Sequence, residues 1–253
     1  MTNIILVGCN GKMGRVITAL AEFDKDLEIV AGVDVSDSIE NSYPVFTDGN
    51  LCNVDGDVII DFSHPSALSG SIALAKRMGI PLIEATTGLS DEQKEELFAA
   101  QSEIPVFFSA NMSLGINLLT QLCKKATALL WQDFDVEIIE KHHNQKIDAP
   151  SGTALALADS ISEVLDNPPE YVYDRHSVRK KRTKNEIGIH AIRGGTIVGE
   201  HSVIFAGKDE VVELKHQATS KEVFAVGSLR AAKFMKGKPA GLYDMNSLIG
   251  ELI

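Results

Sequence analysis

The densest chemistry in the chain lies in Glu140-Lys141-His142-His143-Asn144-Gln145-Lys146-Ile147-Asp148-Ala149-Pro150-Ser151-Gly152-Thr153. Imidazole side chains give and take protons near neutral pH, so His142 and His143 are candidates for moving a proton at a reacting centre. Lys146 adds a cation close behind them. Ser151-Gly152-Thr153 then opens an apolar helix, expected to turn Leu155, Ala158, Ile161 and Leu165 inward. The first turn of a helix leaves N–H groups unpaired at the positive end of its dipole. Two hydroxyls and a glycine placed there form a cradle for a carboxylate or a phosphate. Pro150 biases Ala149 away from helical geometry and so marks where the helix begins. Proton donor, cation and anion cradle therefore share one loop between a strand, expected over 135–140, and a helix. Adjacent histidines on a strand point to opposite faces, and no cysteine or second histidine cluster is spaced to complete a coordination shell. No metal is expected.

A second set of chemically suggestive residues opens the chain. Asn3 to Val7 is a short, nearly all-apolar run, as suits a parallel strand covered on both faces. Gly8-Cys9-Asn10-Gly11-Lys12-Met13-Gly14 follows at once and leads into a helix with Val16, Ile17 and Leu20 at apolar spacing. Glycines at 8, 11 and 14 match a relaxed dinucleotide fingerprint, in which the turn must be tight, the backbone must approach a pyrophosphate, and the helix must pack closely on the strand. The next apolar run, Leu27 to Val33, ends in Asp34, the acidic residue the fingerprint uses for the adenosine ribose. Val35-Ser36-Asp37 offers no cation to a 2′-phosphate, and a carboxylate repels one. NADH is thus the favoured hydride donor and NADPH the alternative, with Lys12 and Arg15 as partial offsets.

The βαβ rhythm continues. Strands are expected at 58–61, 81–84 and 104–108, with helices over 66–78, closed by Gly79, and from the Ser90-Asp91-Glu92-Gln93 capping box through Ala100. The turns after these strands, Phe62-Ser63-His64-Pro65, Ala85-Thr86-Thr87-Gly88 and Ser109-Ala110-Asn111-Met112, lie at the carboxyl ends of strands, where open α/β sheets take their ligands. A helix over 114–130, apolar at Leu118, Leu119, Leu122 and Ala126, leads to the histidine stretch. A polar, proline-bearing loop over 167–185 precedes strand segments at 187–192, 196–205 and 210–216, and a last helix spans 221–236. Strands without intervening helices mark a second, α+β domain. One closing helix makes no domain alone, so it belongs with the first sheet. The fold class is α/β: a Rossmann-like, parallel-sheet dinucleotide-binding domain over 1–112 plus 221–253, with an inserted α+β substrate-binding and oligomerisation domain over 113–220.

The chain of 253 residues has 24 Lys and Arg against 35 Asp and Glu, a formal charge of −11. That balance argues against general binding to nucleic acid or anionic membranes. The one basic run, Arg179-Lys180-Lys181-Arg182-Thr183-Lys184, reads as a solvated loop. No apolar run approaches membrane-spanning length, and the N-terminus runs straight into a strand, so neither a membrane anchor nor a signal peptide is expected. The three cysteines, Cys9, Cys52 and Cys123, show no paired spacing and fit a reducing cytoplasm.

The run from Glu137 to Ala154 resembles the 4-hydroxy-tetrahydrodipicolinate reductase (dihydrodipicolinate reductase) family of lysine and diaminopimelate biosynthesis. Supporting matches are Gly8 to Arg15, Asp61-Phe62-Ser63, Thr86-Thr87-Gly88, Ser109-Ala110-Asn111-Met112 and Arg193-Gly194-Gly195-Thr196-Ile197-Val198-Gly199-Glu200-His201, which span nearly the whole chain. The resemblance implies reduction of a small cyclic imine carrying two carboxylates. His142 would be its proton donor or acceptor, and Lys146 the second donor or the stabilising cation. His143 would contact substrate, and Gly152 and Thr153, with Ser151 beside them, would hold a substrate carboxylate. It further implies that Gly8, Cys9, Asn10, Gly11, Lys12, Met13, Asp34, Ala85, Thr86, Thr87, Ser109, Ala110, Asn111 and Met112 line the cofactor, and that the chain assembles as a homotetramer through the second domain's sheet. Departures are Ala85, where glycine is common, Val35, where some members are basic, and Met112, where an aromatic is common. The alternative is another two-domain NAD(P)-dependent oxidoreductase acting on a small dicarboxylate. A thiolate-dependent semialdehyde dehydrogenase would need a cysteine beside a base, a setting Cys123 lacks within its helix.

Overall fold

The computed structural model describes residues 1–109 and 111–252, side chains included except that of Leu252. In chain order the first elements are β1 (Thr2–Val7), α1 (Lys12–Ala21), β2 (Leu27–Val33), β3 (Val45–Phe46), β4 (Val58–Asp61), α2 (Leu68–Met78), β5 (Leu82–Glu84), α3 (Asp91–Ala99) and β6 (Pro105–Phe108). There follow α4 (Leu114–Leu130), β7 (Asp135–His142), α5 (Gly152–Ser162), β8 (Glu170–Val172), β9 (Glu186–Arg193), β10 (Gly199–Ala206), β11 (Val211–Ala218), α6 (Glu222–Met235), β12 (Gly241–Tyr243) and α7 (Met245–Leu252). They form two compact units, Met1–Leu114 with Glu222–Ile253, and Gly115–Lys221.

In the first unit seven strands form a sheet in the order β12-β6-β5-β4-β1-β2-β3, every pair parallel. From β3 to β6 this is the 3-2-1-4-5-6 order of dinucleotide-binding sheets, with its switch point between β1 and β4. Alternate residues serve opposite layers. Ile4, Leu6, Ile60 and Phe107 pack with Ile17 of α1 and Ala225, Leu229 and Met235 of α6. Ile5, Val7, Ile59, Leu82 and Val106 pack with Leu68, Ile72 and Ala75 of α2 and Leu97 of α3. The apolar runs are continuous because both faces are covered. Ser90 and Gln93 form the expected capping box, and Gly79 closes α2 in the left-handed region at φ 65°. Before α2 a short 3₁₀ turn, Pro65–Ala67, is capped by the His64 side chain.

In the second unit a five-stranded mixed sheet runs β11-β10-β7-β9-β8. β10 is antiparallel to β7 and β11, and β9 is parallel to β7 and β8. Val136, Ile138, Ile187, Ile189, Val203 and Phe205 pack on one face against Ile116, Leu119 and Cys123 of α4 and Leu157, Ala158 and Ile161 of α5. Both helices differ in register from the expectation. α4 buries Ile116, Leu119, Cys123 and Thr127, leaving Leu118 and Leu122 exposed. α5 buries Ala154, Leu157, Ala158 and Ile161, with Leu155 and Leu165 at the margin. In each apolar-rich helix several stripes qualify, and the sheet selects one.

β3, β8, β12 and α7 have no counterpart in the sequence reading. The three strands span three residues or fewer, too short for periodicity to register. The basic run is only partly the solvated loop expected: 179–181 are exposed, but Arg182 is held by Asp135, Glu137 and the Glu186 carbonyl, and Lys184 by the Phe134 carbonyl. Beside it, Glu186 is fully buried and bonded by Arg175 and Thr183. Burial alone would raise its carboxyl, but those donors more than offset this and hold it at about 2, against an ordinary 4.5. With the folded value depressed, the stabilisation is present above pH 4.5 and is lost as pH falls toward about 2. Denaturant midpoints measured from pH 6 to 2 are therefore expected to fall more shallowly in Glu186→Gln than in the parent.

Candidate active site

The first unit offers a dinucleotide cradle at the carboxyl end of β1. Gly8 sits at φ 79°, and a Cβ there would lie 2.9 Å from the Phe62 carbonyl oxygen. A Cβ on Gly14 would overlap the carbonyl oxygens of Gly8 and Cys9, so α1 packs onto the turn only without one. α1 begins after Gly11 with no side-chain cap, leaving its first N–H groups for an anion. The Asp34 Oδ2 accepts the Asn10 N–H at 2.9 Å, and the Asn10 side-chain amide donates to the Ser36 carbonyl at 2.6 Å. Gly8, Asn10, Gly11, Lys12, Met13, Asp34, Val35, Ser63 and His64 line one cavity of about 780 Å³. Cys9 lies behind it, fully buried, its thiol pushed up to about 11 by burial and then by Asp34. Glycine turn, open helix start and acidic residue are the parts that a dinucleotide requires, and the fit is good.

The remaining residues expected at the cofactor occupy the next turns along the same sheet edge and do not line that cavity. Ala85 and Thr86 are buried and Thr87 is exposed. Ser109 donates to the Asn111 carbonyl at 2.9 Å, and Met112 is buried. Ala110 lies outside the described residues.

In the second unit β7 extends through His142, two residues past the expected end. His142 pairs with Arg193 of β9 and is held by a strand, not a loop. His142 is buried on the core side of the sheet, and His143, just beyond the strand, is half-buried. His142 Nδ1 lies 2.7 Å from Glu140 Oε2. A carboxylate only accepts, so Nδ1 carries the proton and Nε2 is the position left to exchange one. Glu140 is fully buried, and Arg193 grips both its oxygens at 2.7 Å. Burial pushes the Glu140 carboxyl up. The bonds from Arg193, His142 and the Ser151 N–H overcome it, and the group stays below the usual carboxylate range.

The same guanidinium donates to the Asp148 carbonyl at 2.6 Å, tying β7 to the loop that carries Lys146. Lys146 pairs with Asp148 at 2.8 Å, and its N–H donates to the His143 carbonyl. The Ala149–Pro150 peptide is cis. Ser151 then caps α5, with Oγ accepting the Ala154 N–H at 3.2 Å and lying 3.1 Å from His201 Nε2. Ser151 is buried and turned inward, so of the expected carboxylate cradle only exposed Gly152 and half-buried Thr153 face outward. A Cβ on Gly152 would meet nothing within 4 Å, which leaves open space at the helix start. His201 is buried 5.2 Å from the His142 ring, and burial, more than neighbouring His142, lowers it to about 4.

The structure thus sets His142 at the end of β7 and His143, Lys146, Ser151, Gly152 and Thr153 on the loop and helix start that follow, around one hydrogen-bond network. Three members of that network, Glu140, Arg193 and His201, were not among the candidates. Glu140 and His142 do stand two apart on one strand face. Arg193 is far away in sequence, and only strand pairing brings it there. The thiols take no part in this site. Cys9, Cys52 and Cys123 are buried, and burial pushes Cys123 up to about 12, which removes the thiolate a semialdehyde dehydrogenase needs. Among the described residues no group of three or more His, Cys, Asp or Glu is placed to hold a metal, and no helix is long and apolar enough to cross a membrane.

Residues 2–112 match the family model "Dihydrodipicolinate reductase, N-terminus", and residues 115–249 match "Dihydrodipicolinate reductase, C-terminus". A 4-hydroxy-tetrahydrodipicolinate reductase from Clostridium tetani is 53% identical over 249 residues, 98% of this chain and 97% of that protein. The same enzyme from Staphylococcus epidermidis is 46% identical over 97% of this chain and all of that protein. A dipicolinate-bound dihydrodipicolinate reductase from Paenisporosarcina shares the fold, with a TM-score of 0.81 at 24% identity over 97% of this chain and 99% of that one. With both halves matched in order and relatives near half-identical along the whole length, the chain belongs to the dihydrodipicolinate reductase family.

Proposed function

We propose that the chain is a 4-hydroxy-tetrahydrodipicolinate reductase, which converts a cyclic dicarboxylate imine to tetrahydrodipicolinate. The observation that carries this reading is the Arg193–Glu140–His142 chain, joined through Asp148 to Lys146 and through the Ser151 N–H to the start of α5. In the net reaction a ring C–OH becomes C–H, one hydride and one proton are consumed, and water leaves. The cofactor, held by Gly8 to Met13 and Asp34 of the first unit, supplies the hydride. The second unit supplies the rest. His142, with Nδ1 fixed on Glu140, exchanges its proton at Nε2. Lys146 meets negative charge developing on the ring, and His143, Gly152 and Thr153 orient the carboxylates, with Ser151 setting the helix start. Ala85 to Thr87 and Ser109 to Met112 take the nicotinamide end. Asp34 beside exposed Val35 favours NADH. Repulsion of about 1 kcal/mol between a carboxylate and a 2′-phosphate makes NADPH roughly fivefold poorer in kcat/KM.

The sheet face opposite α4 and α5 carries Ile139, Ile192 and Ile204 among ion-paired Glu137, Lys141, Glu200 and Lys215, which suits assembly of copies into a homotetramer. Three buried free thiols suit the reducing cytoplasm. The test is to feed the condensation product of pyruvate and aspartate semialdehyde to the protein with NADH and then NADPH. Substrate-dependent cofactor oxidation, faster with NADH, is expected. None with either would refute the assignment, and sedimentation of the same sample reads the assembly.

A further inference from the structure

Two acids that this mechanism does not use stand side by side beneath the nicotinamide-end turn. Asp61 and Glu84 are the last residues of β4 and β5 and are register partners across the parallel pair. Both are fully buried. None of the ion pairs among the described residues reaches either carboxyl, so no cation neutralises them. Their donors are unequal. Asp61 accepts from the Ser63 N–H at 2.9 Å, from the hydroxyls of Ser63 and Ser71 at 2.5 Å, and from Thr86 Oγ1 at 3.3 Å. Glu84 accepts from Thr86 alone, whose N–H lies 2.8 Å from Oε1, and the Glu84 Oε2 is buried with no partner.

Two like charges on paired strands, sharing Thr86 as donor, away from water and without a counter-ion, do not coexist. The acid rich in donors keeps the charge, and the acid poor in donors keeps the proton. We propose that Glu84, as an uncharged carboxylic acid beside the Asp61 carboxylate, is a positioning residue: it holds Thr86 and so sets the turn Ala85–Thr87 for the nicotinamide end of the cofactor. The inference rests on the dinucleotide-dependent reading above. The same small cluster ties three elements together, because Asp61 bonds Ser63 after β4, Ser71 on α2 and Thr86 after β5. Putting a second negative charge into it strains all three at once.

Burial first, and the neighbouring Asp61 second, push Glu84 up to about 8. Asp61 is pushed up by burial too, opposed by its hydroxyl and N–H donors. The groups that face Glu84 are Asp61 from β4 and Thr86 from its own turn, while α2 presents Ser71 and α3 presents apolar Leu97 to that layer. Above pH 8 Glu84 ionises and the turn loosens.

The test is isothermal titration of NADH into the full chain from pH 6.5 to 9.5, for the parent and for Glu84→Gln, with a thermal melt at each pH. If only the acid form holds the turn, parental affinity falls about tenfold by one pH unit above the transition. Glu84→Gln keeps an acceptor and cannot ionise, so its affinity stays flat over the same range relative to any drift shared by both proteins. Glu84→Ala, lacking the acceptor, binds NADH weakly at every pH. A flat parental profile, or an equal fall in Glu84→Gln, overturns the inference and leaves the reductase reading intact. A folded parent that binds neither NADH nor NADPH at any pH overturns that reading as well. If Glu84→Gln does not fold, Glu84→Ala serves as the non-ionising reference, and a fractional fall in it equal to the parent's overturns the inference.

Discussion

Lys146→Ala and His142→Gln are each expected to lower kcat by about two to four orders of magnitude, the range that general acid and base groups supply. Affinity for the nicotinamide cofactor should change little, because its cradle is built from the first unit. The two losses differ in kind. In the proposed mechanism Lys146 meets charge developing on an already anionic substrate, so Lys146→Ala should raise KM as well as depress kcat. The role proposed for His142 is proton transfer, so His142→Gln should act mainly on kcat and flatten the pH–rate profile. Glu140→Gln separates chemistry from orientation. It keeps a hydrogen-bonding group 2.7 Å from Nδ1 but removes the charge that fixes the tautomer and steadies an imidazolium. A kcat loss approaching that of His142→Gln is expected. Steady-state kinetics beside cofactor titrations checks all three, and near-parental turnover in both His142→Gln and Lys146→Ala would remove the assigned roles.

The largest expected effect on stability belongs to Arg193. Its guanidinium is the cation that allows Glu140 to stay ionised with no exposure to solvent. Arg193→Ala leaves a buried carboxylate with only His142 and one backbone N–H, and breaking one side of a buried pair costs about 3–5 kcal/mol. For a protein of this size that is a fall of roughly 6–20 °C in Tm. The double variant Arg193→Met with Glu140→Leu removes both charges together, and it should recover much of the loss while remaining inactive. The single variant should also lose activity beyond its stability defect, because the same arginine holds the Asp148 carbonyl and with it the loop of Lys146. Denaturant midpoints for the two singles and the double form a cycle. Strict additivity of the two single losses would mean that the pair is not coupled.

Read alone, the order of residues settled a good deal. All-apolar strands followed by small-residue turns specify a parallel sheet covered on both sides, because such strands have no face to give to water. Glycines at 8, 11 and 14 specify a close helix-on-turn approach, since a Cβ at 14 has nowhere to go. His142, Lys146 and the Ser151 helix start could be picked out because they are neighbours in the chain, and local chemistry is written locally. What the tertiary structure alone decided is of another kind. It chose which stripe of α4 and α5 turned inward, carried β7 as far as His142, turned Ser151 into the core, and brought Arg193 and His201 to His142 from 51 and 59 residues away. It also set Asp61 against Glu84, two acids that the sequence shows only as the ends of separate strands. Pairing partners across a sheet are chosen by the packing of whole elements. A charge buried by that packing takes its protonation state and its partner from neighbours that no local pattern names.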